Sequence, residues 1–116
     1  MKIEQWLEEF RQAWQTKDID AVMSMFTDDV EYWETPHQLV GDLQALRQEW
    51  QAIKQQEDIV LDLDVFGSSD NRHSVRWNLS YMQDRQPQKW AGVYLIELNT
   101  EGKCLFFHQT GEKSVK

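Results

Sequence analysis

Apolar residues at Ile3, Trp6, Leu7, Phe10 and Trp14 recur at helical spacing, with Glu, Gln and Arg filling the positions between them. That period predicts an amphipathic first helix. The pattern breaks at Thr16-Lys17-Asp18, and Asp18 is placed to cap a second, short helix whose apolar residues are Ile19, Val22, Met23 and Phe26. Thr27-Asp28-Asp29 then turns the chain into an aromatic strand. Alternation there puts Val30, Tyr32 and Glu34 on one face and Glu31, Trp33 and Thr35 on the other. Pro36-His37-Gln38 closes that strand. Gly41-Asp42 opens a third helix with Leu43, Leu46, Trp50 and Ile53 as its apolar stripe and Asp42 at the positive end of its dipole.

From Glu57 the period changes from helical to alternating. Ile59, Leu61, Leu63 and Val65 alternate with Val60, Asp62, Asp64 and Phe66, and residues 67–71 (Gly-Ser-Ser-Asp-Asn) read as a turn. Residues 72–82 alternate more cleanly, with His73, Val75, Trp77, Leu79 and Tyr81 against Arg72, Ser74, Arg76, Asn78 and Ser80. Arg76 is expected to pair with Asp62 or Asp64 across the sheet, a contribution of roughly 0.2–1 kcal/mol. Residues 84–88 form the next connection. The strand over 90–98 is apolar on both faces, with Trp90, Tyr94, Ile96 and Leu98 on one and Ala91, Val93 and Leu95 on the other, so it is central or meets a partner subunit. A last strand runs over 104–110, and the tail from Gly111 is expected to fray. Helices segregated to one side of a curved antiparallel sheet make an α+β fold, with three N-terminal helices closing a cone-shaped cavity.

At 116 residues the chain is read as one domain, 1–116, with room for one core. Six Trp, five Phe and three Tyr make that core, and any cavity in it, rich in aromatic surface. A net charge of -8 repels phosphate backbones and anionic lipid, which argues against nucleic-acid and membrane partners. The single Cys104 has no partner for an internal disulfide and reads as a buried small hydrophobe, and the helix-patterned, acidic start is unlike a signal peptide, so a cytoplasmic setting is expected. No two of His37, His73 and His108 have metal-ligand spacing on one element, so neither a metal nor another cofactor is expected.

The run from Trp14 to Trp50, with Lys17-Asp18-Ile19-Asp20, Met25-Phe26-Thr27-Asp28-Asp29-Val30, Pro36 and Gly41, resembles the opening half of the nuclear transport factor 2-like superfamily, SnoaL-like branch. Trp90-Ala91-Gly92-Val93-Tyr94, residues 99–103 and Phe107 are similar to that branch's paired final strands. The resemblance implies the cone fold of ketosteroid isomerase and a homodimer; because the superfamily holds isomerases, cyclases, dehydratases, epoxide hydrolases and binding modules, it implies no single activity. Aligned on Asp28-Asp29, Glu34 falls where ketosteroid isomerase keeps its carboxylate base. That enzyme's oxyanion donors, a tyrosine and a protonated aspartic acid, fall on Phe10 and Tyr94. The paired-carboxylate and arginine set of the epoxide hydrolases has no counterpart, since Arg72 and Arg76 share the outer face. In the last strand Phe107 and Gln109 match cavity-facing positions, and His108 faces away.

Glu34 is therefore the candidate proton-transfer group, because a carboxylate among aromatic neighbours is desolvated toward a useful pKa. Tyr32, Trp14, Trp77, Trp90, Tyr94, Phe107 and Gln109 are the candidate ligand-binding residues. Two readings stay open: an enzyme of isomerase, dehydratase or hydrolase type acting on a small apolar metabolite, and a non-catalytic ligand-binding or dimeric assembly module.

Overall fold

The computed structural model describes residues 2–115. Helix α1 (Lys2–Gln15) buries Ile3, Trp6, Leu7, Phe10, Ala13 and Trp14, the stripe expected from their spacing. Helix α2 (Ile19–Met23) starts at Asp18, whose carboxylate accepts from the Ala21 amide at 3.1 Å. Strands β1 (Phe26–Thr35) and β2 (Gln38–Val40) form a small hairpin, so the segment expected only to close β1 adds a short edge strand. Helix α3 (Leu43–Trp50) is capped by Asp42, which accepts from the Ala45 amide at 2.8 Å. Ile53 lies beyond α3 in a 3-10 turn over 51–55 and still points into the core.

Four long strands follow: β3 (Glu57–Ser69), β4 (Arg72–Gln83), β5 (Gln86–Leu98) and β6 (Cys104–Lys113). The sheet order is β2-β1-β6-β5-β4-β3. Every pairing is antiparallel except β1 with β6, which run parallel with Tyr32 opposite Phe107 and Trp33 opposite His108. The α+β cone is as expected, and its sheet is mixed rather than wholly antiparallel. The first strand enters after α2 and meets the last from the same direction, so no hairpin can join them.

Three connections differ from the sequence expectation. The α2–β1 turn lies at Ser24-Met25, so Phe26, expected in α2, and Thr27-Asp28-Asp29, expected as the turn, belong to β1. The β3–β4 turn narrows to Asp70-Asn71, with Asp70 at φ 55°, because the strand register slips between Val65 and Gly67 and throws Phe66 out of the ladder, 78% exposed. The β4–β5 turn narrows to Asp84-Arg85, both at positive φ, the geometry that matches the twist of two-residue hairpins. Pro87 therefore sits inside β5, beyond the last β6 pairing at Trp90, where its missing amide hydrogen leaves no ladder bond unmade. Pairing continues through Gly111 and Glu112 to Lys113, so the expected tail begins later; its final residue lies outside the described residues. Arg76 stands opposite Asp64 as the alternation implies, yet among the described residues it forms no ion pair; Arg72 pairs with Glu97 at 3.2 Å instead.

The core sits between the helices and the inner face of the sheet. Phe10, fully buried, touches the rings of Trp6, Trp14, Phe26, Trp50, Tyr94 and Phe107 at centroid distances of 5.0–6.5 Å. One helix residue thus ties α1 to α3 and to three strands. Edge-to-face pairs of this kind add about 0.5–1.5 kcal/mol each beyond area burial.

Candidate functional site

The end of the cone beside α3 stays open, and a cavity of about 200 Å³ enters the molecule there. Its helical wall is Trp14, Trp50 and Ile53, and its sheet wall is Trp77, Leu79, Tyr81 and Trp90. Each side of this box follows from a pattern legible in the chain. Trp77, Leu79 and Tyr81 are alternate residues of β4, while Trp14 and Trp50 terminate the apolar stripes of α1 and α3. The indole of Trp14 packs on that of Trp50 at 4.8 Å and donates to Gln56 Oε1 at 2.9 Å. Trp77 donates to the Thr110 carbonyl at 3.2 Å and stacks on Tyr94 at 5.3 Å. These bonds satisfy the indole N–H groups and hold the rings as fixed walls.

Polar groups enter this apolar box from one direction. Glu34, Tyr32 and Gln109 come from the neighbouring strands β1 and β6, and Gln109 donates to the Glu34 carbonyl at 3.4 Å. Glu49, on the exposed side of α3, lines the mouth. Burial raises the Glu34 pKa above the ordinary carboxylate value, the nearby Glu49 charge raises it further, and the Gln109 side chain opposes both by hydrogen bonding. Glu34 is thus a half-buried acid with no cation beside it. Among the described residues lining this cavity there is no Lys, Arg or His.

Of the residues singled out in the sequence, Glu34, Tyr32, Trp14, Trp77, Trp90 and Gln109 line the cavity together. Tyr94 and Phe107 do not line it. Both are fully buried in the core, where Phe107 stacks on Tyr32 at 4.8 Å and Tyr94 stacks on Trp77. Tyr94 nevertheless bears on the site. Its hydroxyl is buried without a hydrogen-bond partner, within electrostatic reach of Glu34 and Tyr32. Burial raises its pKa, and the Glu34 charge adds to that, so the phenol stays protonated at any pH the protein meets.

Glu49, Trp50, Tyr81 and Gln56, with the aliphatic Ala52, Ile53 and Leu79, complete the lining and were not among the chosen site residues. Glu49 had a signal: Leu46, Glu49 and Ile53 fall at i, i+3 and i+7, so an acid interrupts an apolar stripe. Gln56, the buried polar residue of this region at 8% exposure, had none. His108 faces the other side of the sheet, packed between Trp33 and Phe106. Among the described residues no three His, Cys, Asp or Glu side chains converge to hold a metal ion. A larger hollow of about 600 Å³ lies around Ser68, Arg72, Leu95 and Glu97. The Arg72–Glu97 pair neutralises its charges, so the smaller aromatic cavity is the chemically furnished one.

Comparison with known proteins agrees with this geometry. The model of the SnoaL-like domain matches residues 7–105. The chain belongs to the SnoaL-like family. No curated protein matches it. Among solved structures, the Δ5-3-ketosteroid isomerase of Mycobacterium sp. superposes with a TM-score of 0.81 at 12% identity, covering 97% of this chain and 98% of that one. RV0760c from Mycobacterium tuberculosis, in complex with estradiol-17beta-hemisuccinate, gives 0.79 at 14% identity over 93% and 92%. An LEH-like epoxide hydrolase of M. tuberculosis gives 0.73 at 12% over 93% and 80%. At such identities the likeness establishes the fold of this SnoaL-like chain, and its chemistry has to be argued from its own residues. Among the described residues no helix is long and apolar enough to cross a membrane.

Proposed function

We propose that this SnoaL-like chain is a single-domain cytoplasmic protein that binds a small, largely apolar metabolite in the aromatic cavity and exchanges a proton with it through Glu34. The reading is supported above all by one juxtaposition: a half-buried carboxylate without a cation, lining a tryptophan-walled cavity, with the orphaned Tyr94 hydroxyl within electrostatic reach behind the wall. A raised carboxylate pKa brings Glu34 nearer to neutrality, where a general acid or base works best. The Tyr32 phenol, which lines the cavity together with Glu34, supplies a donor for a carbonyl or hydroxyl oxygen of the ligand. The Trp50 indole is its hydrogen-bonding neighbour. Together these groups fit a proton shift or dehydration beside an oxygen function. The estradiol-17beta-hemisuccinate bound by RV0760c, a structural relative, supports an apolar frame for the guest.

The outer face of the sheet favours a second property, self-association. Trp33, His108 and Leu95 line up in register across β1, β6 and β5, with Val93 and Phe106 beside them; Val93 is 37% and Leu95 45% exposed. An apolar strip of this kind in mid-sheet suits a second copy of the chain, giving a homodimer whose cavities open away from the interface.

A thermal-shift screen of the purified protein against steroids, terpenoids, aromatic polyketides and aryl acids tests the pocket. Ligand at a hundred times its dissociation constant adds about 2.7 kcal/mol to stability, a rise of several degrees. A hit is then incubated with wild type and with Glu34→Gln. Turnover by wild type and binding without turnover by the variant is the expected result; equal turnover removes Glu34 from the chemistry, and no hit in any class removes the pocket.

A further inference from the structure

The cavity's electrostatics carry the substrate class a step further, resting on the reading that the cavity binds a ligand at all. Two carboxylates, Glu34 inside and Glu49 at the mouth, are close enough for the second to perturb the first. Nothing in the lining offsets them, since the remaining polar groups are the phenols of Tyr32 and Tyr81 and the amides of Gln56 and Gln109. Lys113, opposite Trp90 on β6, is exposed and lies outside the lining. The walls are four indoles, whose faces attract cations, and the chain as a whole carries -8. A neutral guest would bury Glu34 further from water with no compensation, and an anionic guest would meet two like charges. A protonated amine would relieve both carboxylates.

We infer that the ligand of this cavity is a monocation, a protonated amine on an apolar frame, seated with its ammonium at the Glu49 side of the mouth and its frame between the indoles. Glu49 and the indole rim hold the charge there, and Glu34, Tyr32 and Gln109 remain for the part of the ligand that enters deeper.

Three probes on one frame decide the matter: 2-phenylethylammonium, 2-phenylethanol and 3-phenylpropanoate. Each is titrated into the full chain at neutral pH and low salt, with tryptophan fluorescence and calorimetry as readouts. The ammonium is expected to bind about tenfold or more tighter than the alcohol, as a partly desolvated ion pair plus cation–π contact would give, and the carboxylate more weakly than either. Glu49→Gln, a change at an exposed helix position that leaves the fold intact, is expected to cut the ammonium-to-alcohol ratio at least severalfold. Equal affinity of alcohol and ammonium, tighter binding of the carboxylate, or a ratio untouched by Glu49→Gln overturns the charge assignment while leaving a working pocket. Failure of all three probes to change fluorescence or release heat overturns the pocket along with it.

Discussion

The two faces of the sheet are built from the same strands and have opposite imperfections. On the inner face of β5, Tyr94, Ile96 and Leu98 are buried to 2% exposure or less, and the anomaly there is polar: an unpartnered hydroxyl and, nearby, an acid without a cation. On the outer face the neighbours Val93 and Leu95 are open to solvent, and the anomaly is mainly apolar, with the buried, unpartnered Nδ1 of His108 as its one polar element among the described residues. β6 repeats the contrast at adjacent residues, with Phe107 sealed in the core and Phe106 only half-buried outside. An unsatisfied polar group inside an apolar wall calls for a small molecule, whereas an uncovered apolar strip on a polar surface calls for another protein surface. A single alternation of side chains thus separates the two expected partners.

Phe107→Ala offers the strongest test of this contrast. Phe107 contacts Trp6, Phe10, Phe26, Tyr32 and Tyr94, so its removal should cost about 3–5 kcal/mol in urea unfolding. Phe106→Ala should cost the protomer below about 1 kcal/mol and weaken self-association instead. Equal losses at the two positions would mean that the faces are not energetically distinct.

Next in size is Gly111→Ala. A β-carbon there would lie 2.4 Å from Cζ2 of Trp77, so the added methyl drives a cavity wall out of place, at about 1–3 kcal/mol. Gly41→Ala, with nothing within 4 Å of its β-carbon, serves as the control and should change little. If Gly111→Ala leaves both stability and probe binding unchanged, Trp77 is not a fixed wall.

Leu95→Glu addresses the outer face alone. A charge in the middle of the apolar strip should weaken the dimer by more than about tenfold in sedimentation, with the protomer's stability within about 0.5 kcal/mol of wild type. A wild-type chain that sediments as a monomer at micromolar concentration would remove the outer face as an interface.

How much of this arrangement the sequence discloses depends on the range of the interaction. The stripe Ile3-Trp6-Phe10-Trp14 and the alternation from Arg72 to Tyr81 are local, and they predict both the elements and the faces that the structure shows. Asp18 and Asp42 are legible as caps for the same reason. The parallel pairing of β1 with β6 joins residues more than seventy positions apart, and no local period encodes it. Register slips have the same character: the displaced Phe66 follows from how β3 meets β4, not from its own neighbours. At the site, alternation on β1 and the family resemblance find Glu34 and Tyr32, and the resemblance alone finds Gln109. The resemblance also selects Phe107 and Tyr94, which face inward but lie deeper than the cavity, because facing the core and lining a cavity differ only by what packs in front. Glu49 is the converse case, exposed on α3 and betrayed in the sequence only by its spacing from Leu46 and Ile53.

The smallest effect, and the one most specific to the inner face, is that of Glu34→Gln on stability against pH. The folded-state pKa of Glu34 is raised above its unfolded value near 4.5, chiefly by burial and then by Glu49. The stability linked to the protonated acid is therefore fully present below pH 4.5 and is lost as pH rises through the folded pKa. Glutamine has no proton to lose. In the absence of ligand the variant should melt above wild type at pH 7, and the gap should close as the pH falls toward 4.5. Tm measured at half-unit steps of pH gives both the sign and the window. A variant that melts lower at pH 7 would show that the carboxylate already has a favourable partner within the protein, and the contrast between an inner face awaiting a ligand and an outer face awaiting a copy of the chain would lose its first half.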